Sequence, residues 1–300
     1  MNTNQRHTKS KVATTTSVSW ISDFAQLVKM RLNLTVVFSA VMAYLIVAGD
    51  QSNMLAITIL SIGGFCVTSA ANALNEVLER DYDKLMKRTE NRPLATGRMS
   101  VSSAVLIAGM MSVIGVTLLA FFNPWAALLG MISLITYAFI YTPMKRTTPL
   151  AVVVGAIPGA LPVLIGCVAF QGEITALAIL LFMIQFIWQF PHFWSIAWLG
   201  DEDYKNAGFN LLPSESGVKD ESVGLLSLML TLAFIPTYLT LWYLGDISLL
   251  TMVLCQTIST VFGFFSWNLY KKCDRKAALS LMFSSFAYIP AVFIIIYLIG

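Results

Sequence analysis

Five side chains, Thr68, Asn72, Asn75, Glu79 and Asp83, recur at spacings of 4, 3, 4 and 4. At about 100° per residue, that pattern puts all five on one face of a helix. The last three carry oxygens suited to a hard cation. They form a ladder about 12 Å tall at 1.5 Å of rise per residue, so one ion cannot touch both ends. Magnesium takes one or two carboxylates and completes its shell with substrate phosphates and water. The spacing therefore suits a magnesium–diphosphate group laid along the ladder better than a bare metal cage. Lys87, Arg88 and Arg92 follow, with donors that match phosphate oxygens. A helix end with solvated charges explains these bases, but not the alignment of Asn72, Asn75 and Glu79.

A second stripe lies in IQFIWQFPHFWSIAWLGDEDY, residues 184–204, where Gln185, Gln189 and His192 repeat at 4 and 3. His192 is about 14 Å of helix above Asp201, and Pro191 predicts a kink beside it. Two readings stand. The stripe lines a cavity, or the histidine is satisfied by a neighbouring helix while the surrounding aromatics face lipid. Asp201, Glu202 and Asp203 then form a second acidic cluster. Two acidic clusters at one membrane face, with arginines between, point to a polyanion held by metal. Lys145 and Arg146 in YTPMKRTTPL (141–150) add a third charged patch, which a topology signal explains equally well. In GAIPGALPVLIG (155–166), Gly155 and Gly159 allow close helix approach. Pro158 and Pro162 predict breaks near a cavity.

The elements that must position these groups are membrane spans. Of the 300 residues, 57% are apolar and 12% charged, about half the charge of a soluble domain. Mean hydropathy is +0.74. A span needs roughly 20 mostly apolar residues, and the charge-free runs supply nine once 99–144 is divided at FFNPW (121–125). The expected helices are 28–49, 54–79, 102–121, 125–142, 149–170, 174–199, 223–244, 248–268 and 277–299. The expected fold is an all-α polytopic bundle around one cavity open to the cytoplasmic side. Residues 1–27 are read as a cytoplasmic N-terminal arm and 28–300 as one membrane domain.

With nine spans, all 19 Lys and Arg residues fall on one side of the membrane. The positive-inside rule then makes the N-terminus cytoplasmic, and the +3 net charge reports topology rather than nucleic-acid binding. The expected location is a bacterial plasma membrane. A mitochondrial presequence in MNTNQRHTKSKVATTTS is the alternative. Cys66, Cys167, Cys255 and Cys273 show no metal or disulfide spacing and read as inert thiols. Two long charged loops, 80–100 and 200–222, begin alike (DYDKLMKRTENRPL and DYKNAGFNLLP), as if one helix-plus-loop unit had been duplicated. They are expected to face each other across the cavity.

A molecule with a long apolar body and a diphosphate head fits this pattern. An isoprenyl diphosphate can lay its tail between helices and its head on the ladder. Metal and basic groups would stabilise the departing pyrophosphate, and apolar and aromatic walls would shelter the carbocation from water. No Ser/His/Asp set or reactive-cysteine setting suggests covalent catalysis.

These residues resemble the UbiA-type intramembrane prenyltransferase superfamily, whose first motif is N-x-x-x-D-x-x-x-D. Here it stands as Asn75, Glu79 and Asp83, with glutamate at the middle position. DKLMKRTENRPL, YTPMKRTT, GAIPGALPVLIG, WQFPHFW and EDYKNAGFNLLP are similar to the haem-farnesylating branch of that superfamily. A second D-x-x-x-D is absent in strict form, because Lys205 stands four residues after Asp201. Asp203 resembles its counterpart.

The resemblance implies transfer of the farnesyl group of farnesyl diphosphate to a vinyl group of protohaem IX, giving haem O and pyrophosphate. It implies Mg²⁺ held by Asn75, Glu79, Asp83 and Asp203, and diphosphate bound by Lys87, Arg88, Arg92, Lys145 and Arg146. It places His192 and Gln189 near haem, which is a substrate here rather than a cofactor. Haem A synthase or a terminal-oxidase assembly is an expected partner. A transferase acting on a quinone precursor is the rival enzyme, and a transporter or channel with an acidic gate is the rival from another class. The near absence of ionisable groups toward the outer side disfavours the latter.

Overall fold

The computed structural model describes residues 19–214 and 217–300. Most of the expected N-terminal arm, including the presequence alternative, lies outside the described residues. The arm's last part is not extended. Ser19 caps a short helix, α1 (Trp20–Leu27), whose Trp20 and Ile21 are exposed while Leu27 is fully buried. A two-residue elbow, Val28 and Lys29, leads into α2 (Met30–Ala48).

The chain continues through α3 (Met54–Asp83), α4 (Val101–Ala120) and α5 (Pro124–Ile135). A π-helical turn (Thr136–Tyr141) joins α5 to the short α6 (Thr142–Met144). Then follow α7 (Ala151–Gln171), α8 (Ala176–Leu199) and the short α9 (Asp201–Asn206). The last four are α10 (Glu221–Leu232), α11 (Phe234–Tyr243), α12 (Leu249–Lys272) and α13 (Arg275–Ile299). Among the described residues, nine helical segments are long and apolar enough to span a membrane, with α5–α6 and α10–α11 each making one segment.

Local chemistry sets the ends. Asn53, Ser100, Asn123, Thr175, Asp220, Ser248 and Asp274 each cap the helix that follows with a side-chain oxygen. Asn123 is followed by Pro124 at the first helical position, where a missing N–H costs nothing. The expected seventh helix is interrupted at Ala233, because Pro236 cannot donate to the Leu232 carbonyl.

The opposite correction applies to α7. Its two prolines do not break it, and it runs unbroken through the bundle centre as the most buried span. Pro162 leaves the Pro158 carbonyl without its helical donor, and Ser133 Oγ supplies one at 3.2 Å. Likewise α8 continues through Pro191. On α7, Gly166 lies against the α2 backbone so closely that a Cβ would sit 2.0 Å from the Ala40 carbonyl oxygen. Packing runs α3 on α4, α2 on α7, α7 on α8, α10 on α12 and α12 on α13. Helix α13 returns to α8 and α2. Exposed apolar side chains such as Leu106, Met110 and Val113 on α4 face outward, as lipid-facing positions do.

Candidate active site

The ladder is helical to its last rung. Helix α3 extends to Asp83, one turn past the expected end at 79, so all three ladder residues keep the periodicity that aligns them. Asn75 and Asp83 are fully buried and Glu79 nearly so. Each meets a cation from a different element. Lys29 Nζ donates to Asn75 Oδ1 at 2.6 Å. Lys145 Nζ donates to Glu79 Oε1 at 2.7 Å. Arg92 Nη1 donates to both Asp83 oxygens at 2.9 and 2.8 Å. The ammonium groups also rest on aromatic faces, Lys145 on Tyr141 at 4.7 Å and Lys29 over Tyr137 at 5.9 Å.

The π turn shapes this side of the site. Thr142 Oγ1 donates to the Tyr137 carbonyl at 2.8 Å and accepts from Asn75 Nδ2 at 3.0 Å. Such turns are frequent at functional sites. Asn72 is tied to the elbow, its Nδ2 donating to the Val28 carbonyl at 3.2 Å. Thr68, the top of the stripe, is half-buried.

The cations feel one another. Burial, with Arg92 and Lys145 close by, pulls the Lys29 ammonium down to about 7. Burial also acts to lower Lys145 and Arg92. The charge and hydrogen bonds of Glu79 and Asp83 outweigh it and hold both above their ordinary values. Glu76, one residue off the ladder, is fully buried too. Its Oε1 accepts from the Leu94 N–H at 3.2 Å, while Oε2 has no partner.

The two charged loops do meet. Tyr82 and Tyr204, the tyrosines of the two matching DY pairs, both pack on Phe209, with ring centroids 6.2 and 6.3 Å away. Arg146 lies over Tyr82 at 4.2 Å and Arg88 over Tyr204 at 5.6 Å. Thus Arg88 and Arg146 stand on this aromatic rim rather than on the ladder, and Lys87 is exposed. Of the five bases expected to bind diphosphate, the structure brings Arg92 and Lys145 to the ladder. Asp201 is paired with Lys205 at 3.0 Å and Lys219 at 3.9 Å, and Glu202 is exposed. Asp203 is half-buried and makes no ion pair among the described residues.

The α8 stripe is not one surface. Gln189 turns to α7, where its Nε2 donates to the Ala156 carbonyl at 2.9 Å, in space left by Gly159. His192 turns to α13. Its Nδ1 meets Ser285 Oγ at 2.8 Å, and its ring stacks on Trp188 at 4.7 Å. The histidine is therefore satisfied on one side by a neighbouring helix. Nε2 makes no hydrogen bond among the described residues. Gln185 is buried with Oε1 unpartnered.

Three site residues escaped the sequence reading. Lys29 counts there only as a topology charge, and nothing local separates it from Arg31. Glu76 falls outside the aligned set. Thr142 carried a signal in its placement just before Lys145 and Arg146, but its partner is 67 residues away.

An oxygen-only ladder of two carboxylates and an amide, buried at the edge of an apolar bundle, is chemically suited to magnesium. Among the described residues no three His, Cys, Asp or Glu side chains gather into a metal cage, so water and substrate oxygens would complete the shell.

A fold of nine spans with such a ladder defines a class, and the family comparison agrees. The model of the UbiA prenyltransferase family matches residues 36–288. This chain belongs to that family. Its relatives include the protoheme IX farnesyltransferase of Cytophaga hutchinsonii, 41% identical over 270 residues that cover 90% of this chain and 94% of that protein. The protoheme IX farnesyltransferase of Flavobacterium johnsoniae is 41% identical over 279 residues, covering 91% and 92%. Among solved structures, a UbiA homologue from Archaeoglobus fulgidus, bound to GPP and Mg2+, shares the fold. Its TM-score is 0.69 at 16% identity, over 92% of this chain and 99% of that one. A digeranylgeranylglyceryl phosphate synthase structure gives 0.77 at 15% identity, over 92% and 97%.

Proposed function

We propose that this chain transfers the farnesyl group of farnesyl diphosphate to a vinyl group of protohaem IX, giving haem O and pyrophosphate. The observation that carries the reading is the buried ladder with a cation on every rung, in a chain about 40% identical to protoheme IX farnesyltransferases. Asn75, Glu79 and Asp83 would hold Mg²⁺, with Asp203 the free carboxylate nearest in sequence to the opposite rim. Magnesium bound there supplies positive charge against which pyrophosphate departs. Support for it is chemical, from the donor set, and comes also from the Mg2+-bound homologue of the same fold.

Lys29, Lys145 and Arg92 are the groups that turn from ladder to diphosphate oxygens when the ladder is otherwise engaged. Arg88, Arg146 and Lys87 stand further out, on the loops, to meet the incoming head group. The C1–O bond of farnesyl diphosphate breaks with its electron pair leaving on pyrophosphate, and the vinyl π electrons form the new C–C bond. Atoms balance when one water adds its oxygen as the hydroxyl of the hydroxyethylfarnesyl chain and releases a proton. His192, with Nε2 unengaged, orients haem rather than diphosphate, and Gln189, held on the Ala156 carbonyl, fixes α8 against α7 one turn away. The chain sits in the bacterial plasma membrane with its N-terminus and charged loops cytoplasmic, and haem A synthase or a terminal-oxidase assembly receives the product.

The test supplies purified protein with protohaem, farnesyl diphosphate and Mg²⁺, and reads the haems by mass spectrometry. Haem carrying one farnesyl and one hydroxyl is expected. Unchanged haem alongside a prenylated quinone precursor would move the assignment to that acceptor.

A further inference from the structure

The elbow between α1 and α2 is two residues long, Val28 and Lys29, and its backbone is strained at Lys29. Lys29 has φ +49° and ψ +56°, the left-handed region that a Cβ disfavours. Cys273 is the only other non-glycine residue with positive φ among the described residues. A glycine would suit this backbone better. Strained positions persist where the surroundings over-determine them, and they cluster at functional sites.

The surroundings here act from both sides. On one side the α3 stripe grips the elbow, with Asn72 on the Val28 carbonyl and Asn75 on the Lys29 ammonium. On the other, Asp23 in the first turn of α1 is buried and pairs with Arg98. Nε to Oδ1 is 3.0 Å and Nη2 to Oδ1 is 2.9 Å. Leu27 packs fully buried with Ala73, Leu94 and Met99. Arg98 also donates to the Asn91 carbonyl at 2.8 Å, in the segment that carries Arg92.

We propose that Asp23 and Arg98 are positioning residues for diphosphate binding. Their ion pair fastens α1 to the segment after α3, holds the elbow in its left-handed turn, and so sets the Lys29 ammonium against Asn75. This rests on reading the ladder as the diphosphate site. Arg98 braces its own segment as well, so Asp23 is the cleaner probe of the elbow.

The experiment measures Mg²⁺-dependent binding of an unreactive thio-diphosphate analogue of farnesyl diphosphate to the full chain in nanodiscs, by calorimetry. Lys29→Met should weaken binding about tenfold, an ordinary loss for one charged contact. Asp23→Asn should weaken it about threefold or more with the KM for haem unchanged, and Asp23→Glu should restore it. In the Lys29→Met background Asp23→Asn should add nothing, because it acts through that lysine.

An equal loss from Asp23→Asn in both backgrounds overturns the proposal, as does wild-type binding by Lys29→Met. The diphosphate reading survives either result provided Asp83→Asn abolishes analogue binding. Normal binding by Asp83→Asn removes that reading itself. Should Asp23→Asn not fold, the exchanged pair Asp23→Arg with Arg98→Asp decides. Recovered fold and binding support the proposal. Fold without binding, or no fold, overturns it.

Discussion

The stripes on α3 and α8 share the same helical spacing, yet they are satisfied by opposite means. On α3 each rung meets a mobile-headed cation brought from elsewhere: Lys29, Lys145 and Arg92. On α8 Gln189 meets a backbone carbonyl of α7 and His192 a serine of α13. A carbonyl held in a helix cannot turn to a ligand, whereas an ammonium on a four-carbon stem can change partners. Spacing alone thus finds polar stripes, and the kind of partner separates the stripe that can exchange for a ligand from the one that largely ties helices together.

The strongest way to break this contrast is at the ladder. Asp83→Asn or Glu79→Gln should lower haem O formation about 10³-fold while the protein still inserts and folds, the scale of losing a group that stabilises developing charge. Pyrophosphate release measured alongside should fall with it, and normal turnover in both variants would end the ladder's role.

The next effect is on stability. Lys145→Met strands the buried Glu79 carboxylate and should cost about 3 kcal/mol in thermal melts without metal, partly recovered by Mg²⁺ with pyrophosphate. Wild type should melt nearly alike with and without a chelator, because its own cations already hold the ladder.

On the α8 side, His192→Ala should raise the KM for haem several-fold and leave binding of the thio-diphosphate analogue unchanged. If analogue binding fell as well, the two stripes would not be functionally separate. The mildest test is Gly159→Ala, whose Cβ would come within 2.0 Å of Gln189 Oε1. Overpacking of this kind costs about 1–3 kcal/mol, and Gln189→Ala should restore most of it.

How much of this was legible depended on how local the cause was. The nine spans follow from runs of apolar residues, and the ladder from a 3.6-residue period within one helix. Both are properties of a single element. The meeting of the two DY loops was legible because their likeness is itself a sequence feature. What stayed hidden was pairwise and distant. Lys29 and Asn75 are 46 residues apart, and Lys145 and Glu79 are 66 apart. No periodicity distinguishes a cation that closes such a pair from one that only fixes topology. The prolines misled for a related reason. A lost backbone donor breaks a helix only when nothing replaces it, and the replacement, Ser133, came from another span.

The π turn before Lys145 bears on how such a protein could change over generations. A wide turn carries one residue more than an α-helix needs to cover the same height. Losing one residue between Thr136 and Tyr141 would leave a span of ample length. It would close the turn into ordinary α-helix and leave Thr142 and Lys145 near Asn75 and Glu79, whereas the same loss from a regular stretch of the span would swing everything after it by about 100°. A single-codon deletion here is thus one the span can absorb with its ladder partners in place, while one a few residues earlier, in α5, would carry them off the site. Substitutions scanned one at a time along the same turn would give no hint of it.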